Sequence, residues 1–245
     1  RRVNGAGRWR DPVRSTATKV VHAWGLNLVV VTLRVTPPWG GCPLGLPILM
    51  RVHRKDGPTL IELAGQMLDR IAEWLPDRTF RVGADGFYAS LAGSLRPGMH
   101  LTSRLRRDAA LFELPTPRPK GSRGPTPKRG RRLPAPAEIA KRMRQWQRVK
   151  TNERGRTRYR LVHVRQVLWY HVSKAPILLV ISRDPDRREK DDILFTTDVT
   201  MSAAEVISHY AGRWSIEETF KQTKQMLGGQ QAQSWKREGP ERAAA

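Results

Sequence analysis

A single cysteine, Cys42, stands in 245 residues, so neither an intrachain disulfide nor a cysteine-rich zinc cluster can form; the six histidines remain available. Acidic residues are scarce: 22 Asp and Glu face 45 Lys and Arg, a formal net charge of +23. Apolar runs are short as well. Leu26 to Val35 and Pro176 to Ile181 are the longest, far below a membrane span, and the first residues carry no signal-peptide pattern. A soluble, cytoplasmic protein is therefore expected.

The cationic surplus is the first positive feature, and a polyanion, nucleic acid above all, is its natural partner. Arg, Ala, Gly and Pro also rise together in GC-rich coding, which accounts for part of that surplus. The first residues, Arg1-Arg2-Val3-Asn4-Gly5, and the last, Glu241 to Ala245, read as those of a piece of a longer protein.

Along the chain, Leu26 to Val35 is rich in β-branched and apolar residues, and the turn chemistry Pro37-Pro38-Trp39-Gly40-Gly41 follows it. Leu44 to His53 reads as the second strand of an antiparallel hairpin, with Pro47 favouring an edge or a bulge. Apolar residues at helical spacing from Leu60 to Leu75 predict a helix over 57–75, with Pro58 in its first turn. Thr79 to Ala84 is a short strand that delivers Asp85-Gly86 at its carboxyl end, followed by a short helix over 87–95 and a strand Met99 to Arg104. The order suits an α/β sheet.

Seven prolines between Leu114 and Pro136 predict an irregular cationic loop. Ala137 to Lys150 reads as a basic helix, and Tyr159 to Val172, Pro176 to Ser182 and Asp192 to Thr197 as three strands of a small antiparallel unit. Ser202-Ala203-Ala204-Glu205 is a capping box opening a helix to about Leu227, where Gly228-Gly229 ends it.

That last helix carries the chemistry. At about 100° per residue, Tyr210, Arg213, Glu217 and Lys224 fall within about 60° of one another on one face. A phenol, two cations and a carboxylate make a poor core stripe but suit a phosphate held beside a metal.

The spacing Tyr210, Arg213, Glu217, Lys224, in the text Ala211-Gly212-Arg213-Trp214-Ser215-Ile216-Glu217-Glu218-Thr219-Phe220, resembles the bacterial insertion-sequence transposases of the Asp-Asp-Glu group that carry a Tyr-Arg-Glu-Lys signature. Val82 to Tyr88, Thr102 to Arg106 and Asp191 to Asp198 extend the resemblance over nearly the whole chain. It implies a ribonuclease-H-like α/β fold: a mixed sheet flanked by helices, with an inserted, mostly β subdomain between the second Asp and the helix bearing the Glu. The corresponding divisions are 1–106 for the first part of the core, its first strand missing, and 107–200 for the inserted loop, helix and β segment. Residues 201–235 then hold the glutamate helix, and 236–245 form a tail.

Asp85 and Glu217 are implied as the second and third catalytic acids, holding Mg²⁺ or Mn²⁺ in a two-metal site. Tyr210, Arg213 and Lys224 are implied as phosphate-binding groups. Lesser DNA-contact candidates are Arg104, Arg106, Trp146 and Trp169, the two tryptophans having packing roles as their plainer reading. Glu218 reads as a surface neighbour of Glu217, Trp214 as a packing anchor. The implied partners are transposon ends and target DNA, near the nucleoid, with a homodimer in a synaptic complex as one assembly open to the protein.

The family's first aspartate has no counterpart here. Asp11 is the only acid before residue 56, and Trp9-Arg10-Asp11-Pro12 reads as a turn with no strand leading to it. An inactive fragment is the expectation. A basic nucleic-acid-binding module without metal chemistry, or another ribonuclease-H-like nuclease such as a resolvase, stands as the alternative.

Overall fold

The computed structural model describes residues 6–11, 14–116 and 127–226. In chain order its first elements are β1 (Gly7–Arg10), β2 (His22–Gly25), β3 (Asn27–Val35), β4 (Leu44–His53), α1 (Leu60–Trp74) and β5 (Phe80–Gly83). A 3-10 helix (Gly86–Gly93), β6 (Met99–Arg104), α2 (Pro136–Arg142), β7 (Gln147–Glu153) and β8 (Arg156–Val167) follow. The last are β9 (Ile177–Arg183), β10 (Asp192–Thr196), α3 (Ala203–Gly212) and α4 (Ser215–Gln225).

The chain divides into two compact units, one of residues 1–36, 44–71 and 215–245, the other of 37–43 and 72–214. In the first, β3 and β4 form the expected antiparallel hairpin, with a register shift that leaves Ile48 unpaired beside Pro47. A proline cannot donate to the ladder, so the irregularity falls next to it. On α1, Leu63, Ala64, Met67, Leu68 and Ile71 are buried on one face. The helix starts at Leu60 rather than Gly57, because Thr59 and Glu62 cap it reciprocally: Glu62 N donates to Thr59 Oγ1 and Thr59 N to the Glu62 carboxylate. Pro58 lies just ahead of it. β1 and β2 pair antiparallel, and Asp11 directly follows β1. The expectation that no strand reaches Asp11 is corrected by this ribbon. Its carboxylate accepts from Arg14 N and faces the Arg14 guanidinium, the work of a turn residue.

The second unit is built on a six-stranded mixed sheet ordered β5-β6-β10-β9-β8-β7, in which only β5 and β6 run parallel. All seven residues of β9 are buried, as a central strand covered on both faces requires. Helix α3 packs on the sheet through Val206, Ile207 and Tyr210, against Val162, Leu178, Val180 and Leu194. With α1 to α4, this mixed α/β architecture is compatible with a ribonuclease-H-like fold. β8, β9 and β10, expected as a separate small unit, are hydrogen-bonded into the same sheet as β5 and β6.

Two helix expectations are corrected. Over 137–150 the helix ends at Arg142, Met143 turns extended, and 147–153 become β7. Pairing with β8 satisfies those backbone groups and overrides a composition that a helix would also tolerate. Over 203–227 the single helix is two. At Arg213 and Trp214 the amides bond back three residues, to Tyr210 and Ala211, a tight turn in place of an α-helical one. The helix end expected near Leu227 and residues 117–126 of the cationic loop lie outside the described residues.

Candidate active site

Asp85 stands where the sequence puts it, just past the carboxyl end of β5. Ala84 N bonds to Thr102 O and Ser103 Oγ donates to Asp85 O, so the parallel neighbour β6 fixes the backbone there. One carboxylate oxygen accepts from Gly86 N and caps the 3-10 helix. The residue is exposed.

Tyr210, far along the chain on α3, belongs to the same neighbourhood. Its ring is buried in the core, with the Arg104 guanidinium 5.7 Å and that of Arg213 5.5 Å from its centroid. Burial pushes the phenol above its ordinary value; Arg104 and Arg213 pull it down, Asp85 pushes it up, and burial prevails. Tyr210 is therefore a protonated donor at neutral pH. Burial, with a smaller push from Asp85, likewise raises Tyr88. A Cβ built on Gly83 would meet His209 Cε1 at 3.5 Å and Arg213 Cβ at 3.9 Å, so the end of β5 lies against the end of α3. His209 Nε2 is 3.2 Å from Arg81 O at the same junction.

Arg104 links these groups. It donates to Asp192 at 2.7 Å, and Asp192, Tyr210 and Asp85 together outweigh burial to raise its pKa. Asp192 was not anticipated from the sequence; the 88-residue separation leaves no spacing signal.

Glu217 and Lys224 lie on α4, in the unit that holds β4. They are seven residues apart and share a face of that helix. The wheel that put all four signature residues on one stripe assumed an unbroken helix, and the turn at Arg213-Trp214 interrupts it. Thr219 Oγ1 donates to Gly45 O at 2.6 Å, and a Cβ at Gly45 would come within 3.1 Å of Ser215, so α4 sits tightly on β4. Glu218 pairs with Lys221 at 3.9 Å on the surface.

The other candidates are occupied by the fold. Arg106 pairs with Asp108 at 2.8 Å. Trp146 lies between α2 and β7, its N–H donating to Met143 O and the Arg183 guanidinium 4.1 Å over its ring. Trp169 packs edge-on against Phe195, which is fully buried, at 5.5 Å. Trp214 is covered by Arg154 at 4.0 Å.

Among the described residues no three His, Cys, Asp or Glu side chains stand close enough to hold a metal ion, and no helix is long and apolar enough to cross a membrane. The carboxylate of Asp85 is a hard oxygen donor of the kind Mg²⁺ takes, but one donor does not make a centre.

Comparison with known proteins gives one family match: the family described as "Transposase DDE domain", over residues 43–244. No curated protein and no solved structure matches the chain. The family generally uses divalent metal ions and acts on DNA. With that match spanning most of its length, the chain belongs to the transposase DDE domain family.

Proposed function

We propose that this chain is the catalytic domain of an insertion-sequence transposase of the cut-and-paste kind, ribonuclease-H-like, in which Asp85 and Glu217 hold the same divalent ions, Mg²⁺ or Mn²⁺. The observation that carries the reading is the gathering of Asp85, Arg104, Tyr210 and Arg213 at the end of β5, where an acid meets phosphate-binding groups. When bound, a pair of such ions supplies Lewis-acid activation of a water or 3′-hydroxyl and stabilisation of the leaving oxygen.

The chain's own groups would position the DNA. Arg213 offers a planar fork to a phosphate, Tyr210 a neutral O–H and Lys224 a point charge. Arg104, held in place by Asp192, would keep a positioned guanidinium beside Asp85 and Tyr210. The partners in this reading are transposon ends and target DNA, beside the nucleoid, with a homodimer as the synaptic assembly.

We propose further that the 245-residue polypeptide cleaves no strand by itself. In this reading Asp85 and Glu217 stand for two of the family's three acids, and Asp11, the only acid before residue 56, is engaged with Arg14. Magnesium-dependent nicking by the purified chain, abolished in Asp85→Ala, would contradict this.

The test of the metal assignment is thermal. Mn²⁺ or Mg²⁺ should raise the melting temperature, and the rise should vanish in Asp85→Ala and in Glu217→Ala. Stabilisation by DNA alone, unchanged by either substitution, would make the chain a binding module without metal chemistry.

A further inference from the structure

On β7 to β9 the cations are mostly neutralised. Arg158 and Arg160 pair with Glu189 at 2.9 and 2.8 Å, Arg160 with Glu153 at 2.7 Å, Arg165 with Glu113 at 2.9 Å and Arg183 with Asp191 at 2.7 Å. Arg148 and Lys150, on the outermost strand, and Arg156, at the start of β8, are different: all three are exposed, and none has a carboxylate partner among the described residues.

Their direction follows from the pleat. Val149 packs towards the core beneath α3, so Arg148 and Lys150 point to the opposite face. Lys150 stands directly across from Tyr159, and the Arg148 guanidinium lies 4.5 Å from the Tyr159 ring centroid. That tyrosine is half exposed, at 50%. A half-exposed aromatic on β8, backing one unneutralised cation of the edge strand β7 and facing a second, does nothing for the core.

We infer that this outer face of the β7–β8 hairpin, built on Arg148, Lys150 and Tyr159, is a contact surface for the phosphate backbone of duplex DNA. The inference rests on the proposal that DNA is the substrate, and adds a surface apart from the Asp85 neighbourhood. Stacking on Tyr159 restricts the Arg148 side chain before binding, which lowers the ordering cost of a guanidinium–phosphate contact. Two residues along a strand span about 7 Å, close enough for both cations to meet the same phosphate backbone. The hairpin tip is a two-residue turn: Arg154 and Gly155 both adopt positive φ, 56° and 78°, as a type I′ turn requires. A Cβ on Gly155 would lie 2.8 Å from Gly41 O, and Cys42 Sγ bonds Arg154 O, so the turn is seated against residues 37–43.

The test is the salt dependence of binding to a fluorescent duplex of arbitrary sequence, followed by anisotropy with the whole 245-residue chain. Arg148→Ala/Lys150→Ala should flatten the slope of log K against log salt by about 2, since each lost phosphate contact removes about 0.9. Lys141→Ala/Arg142→Ala on α2 removes the same net charge elsewhere and should leave the slope unchanged. Tyr159→Phe keeps the ring and should bind as wild type, whereas Tyr159→Ala should weaken binding, with far-ultraviolet circular dichroism confirming the fold in each case. An unchanged slope in the double variant would overturn the inference and leave these cations as guards against edge-to-edge strand pairing. An equal loss in the α2 control would also overturn it, by assigning the effect to net charge. The manganese melting shift reads the carboxylates and not this face, so either reading can fail while the other stands.

Discussion

The guanidinium of Arg104 stands 5.7 Å from the centre of the Tyr210 ring, joining the end of β6 to the last turn of α3. A cation near a buried phenol favours its ionised form, and burial opposes it more strongly. Removing the cation in Arg104→Ala should therefore move the Tyr210 pKa further up. The check is an alkaline titration of tyrosinate absorbance, with Tyr210→Phe identifying which transition is lost. The linked stability has a definite sign. Because the folded pKa is raised, the contribution of Tyr210 is fully present below the unfolded tyrosine value of about 10 and is lost as pH climbs through the folded pKa. Wild type should thus lose stability above about pH 10 more steeply than Tyr210→Phe.

Arg160 is held by two carboxylates at once, those of Glu153 and Glu189. Its side chain is 8% exposed and makes two hydrogen bonds to Glu153, each 2.7 Å, with a third to Glu189. Burial pulls the Glu153 carboxyl up, but the bonds from Arg160 and Thr151 outweigh it and hold it below the usual carboxylate range. Arg160→Ala would strand a carboxylate in a partly dry site, at a cost of about 3–5 kcal/mol. Urea unfolding measures this. Arg160→Met combined with Glu153→Leu should recover most of the loss, because an apolar pair of similar volume leaves no unpaired charge.

Trp169 and Trp146 should behave as structural side chains. Trp169→Ala removes an aromatic packed edge-on to buried Phe195 and should cost about 3 kcal/mol, the low end for a buried aromatic since part of the ring is exposed. Trp146→Ala uncovers Arg183 and should lower the melting temperature as well. Duplex-DNA affinity of both folded variants should equal wild type. A large affinity loss with unchanged stability would restore the base-contact role that each was offered.

Much of the fold is legible in local pattern. The hairpin β3–β4 follows from two β-branched runs around a Pro/Gly turn, and β6 matches the expected Met99–Arg104. The capping box of Ser202 and Glu205 forms as read, and Asp85 sits at a strand's end because Thr79 to Ala84 could be little else. What was not legible depends on distant partners. Gln147 to Glu153 is a strand because β8 pairs with it, and its basic residues declare no preference. The break at Arg213 follows Gly212, a residue that weakens a helix without forbidding it. No proline marks the site. The Arg104–Asp192 bridge and the Arg148–Tyr159 stack join residues that no sequence period relates.

The most direct test of the central claim is whether the two carboxylate positions share one small volume. In a Cys42→Ser background, nitroxide labels at Asp85→Cys and Glu217→Cys would be compared with each single-label chain by continuous-wave electron paramagnetic resonance. The account predicts strong dipolar broadening in the doubly labelled protein, absent from either single label and abolished by urea. A doubly labelled spectrum equal to the sum of the singles would contradict it and remove the shared metal site.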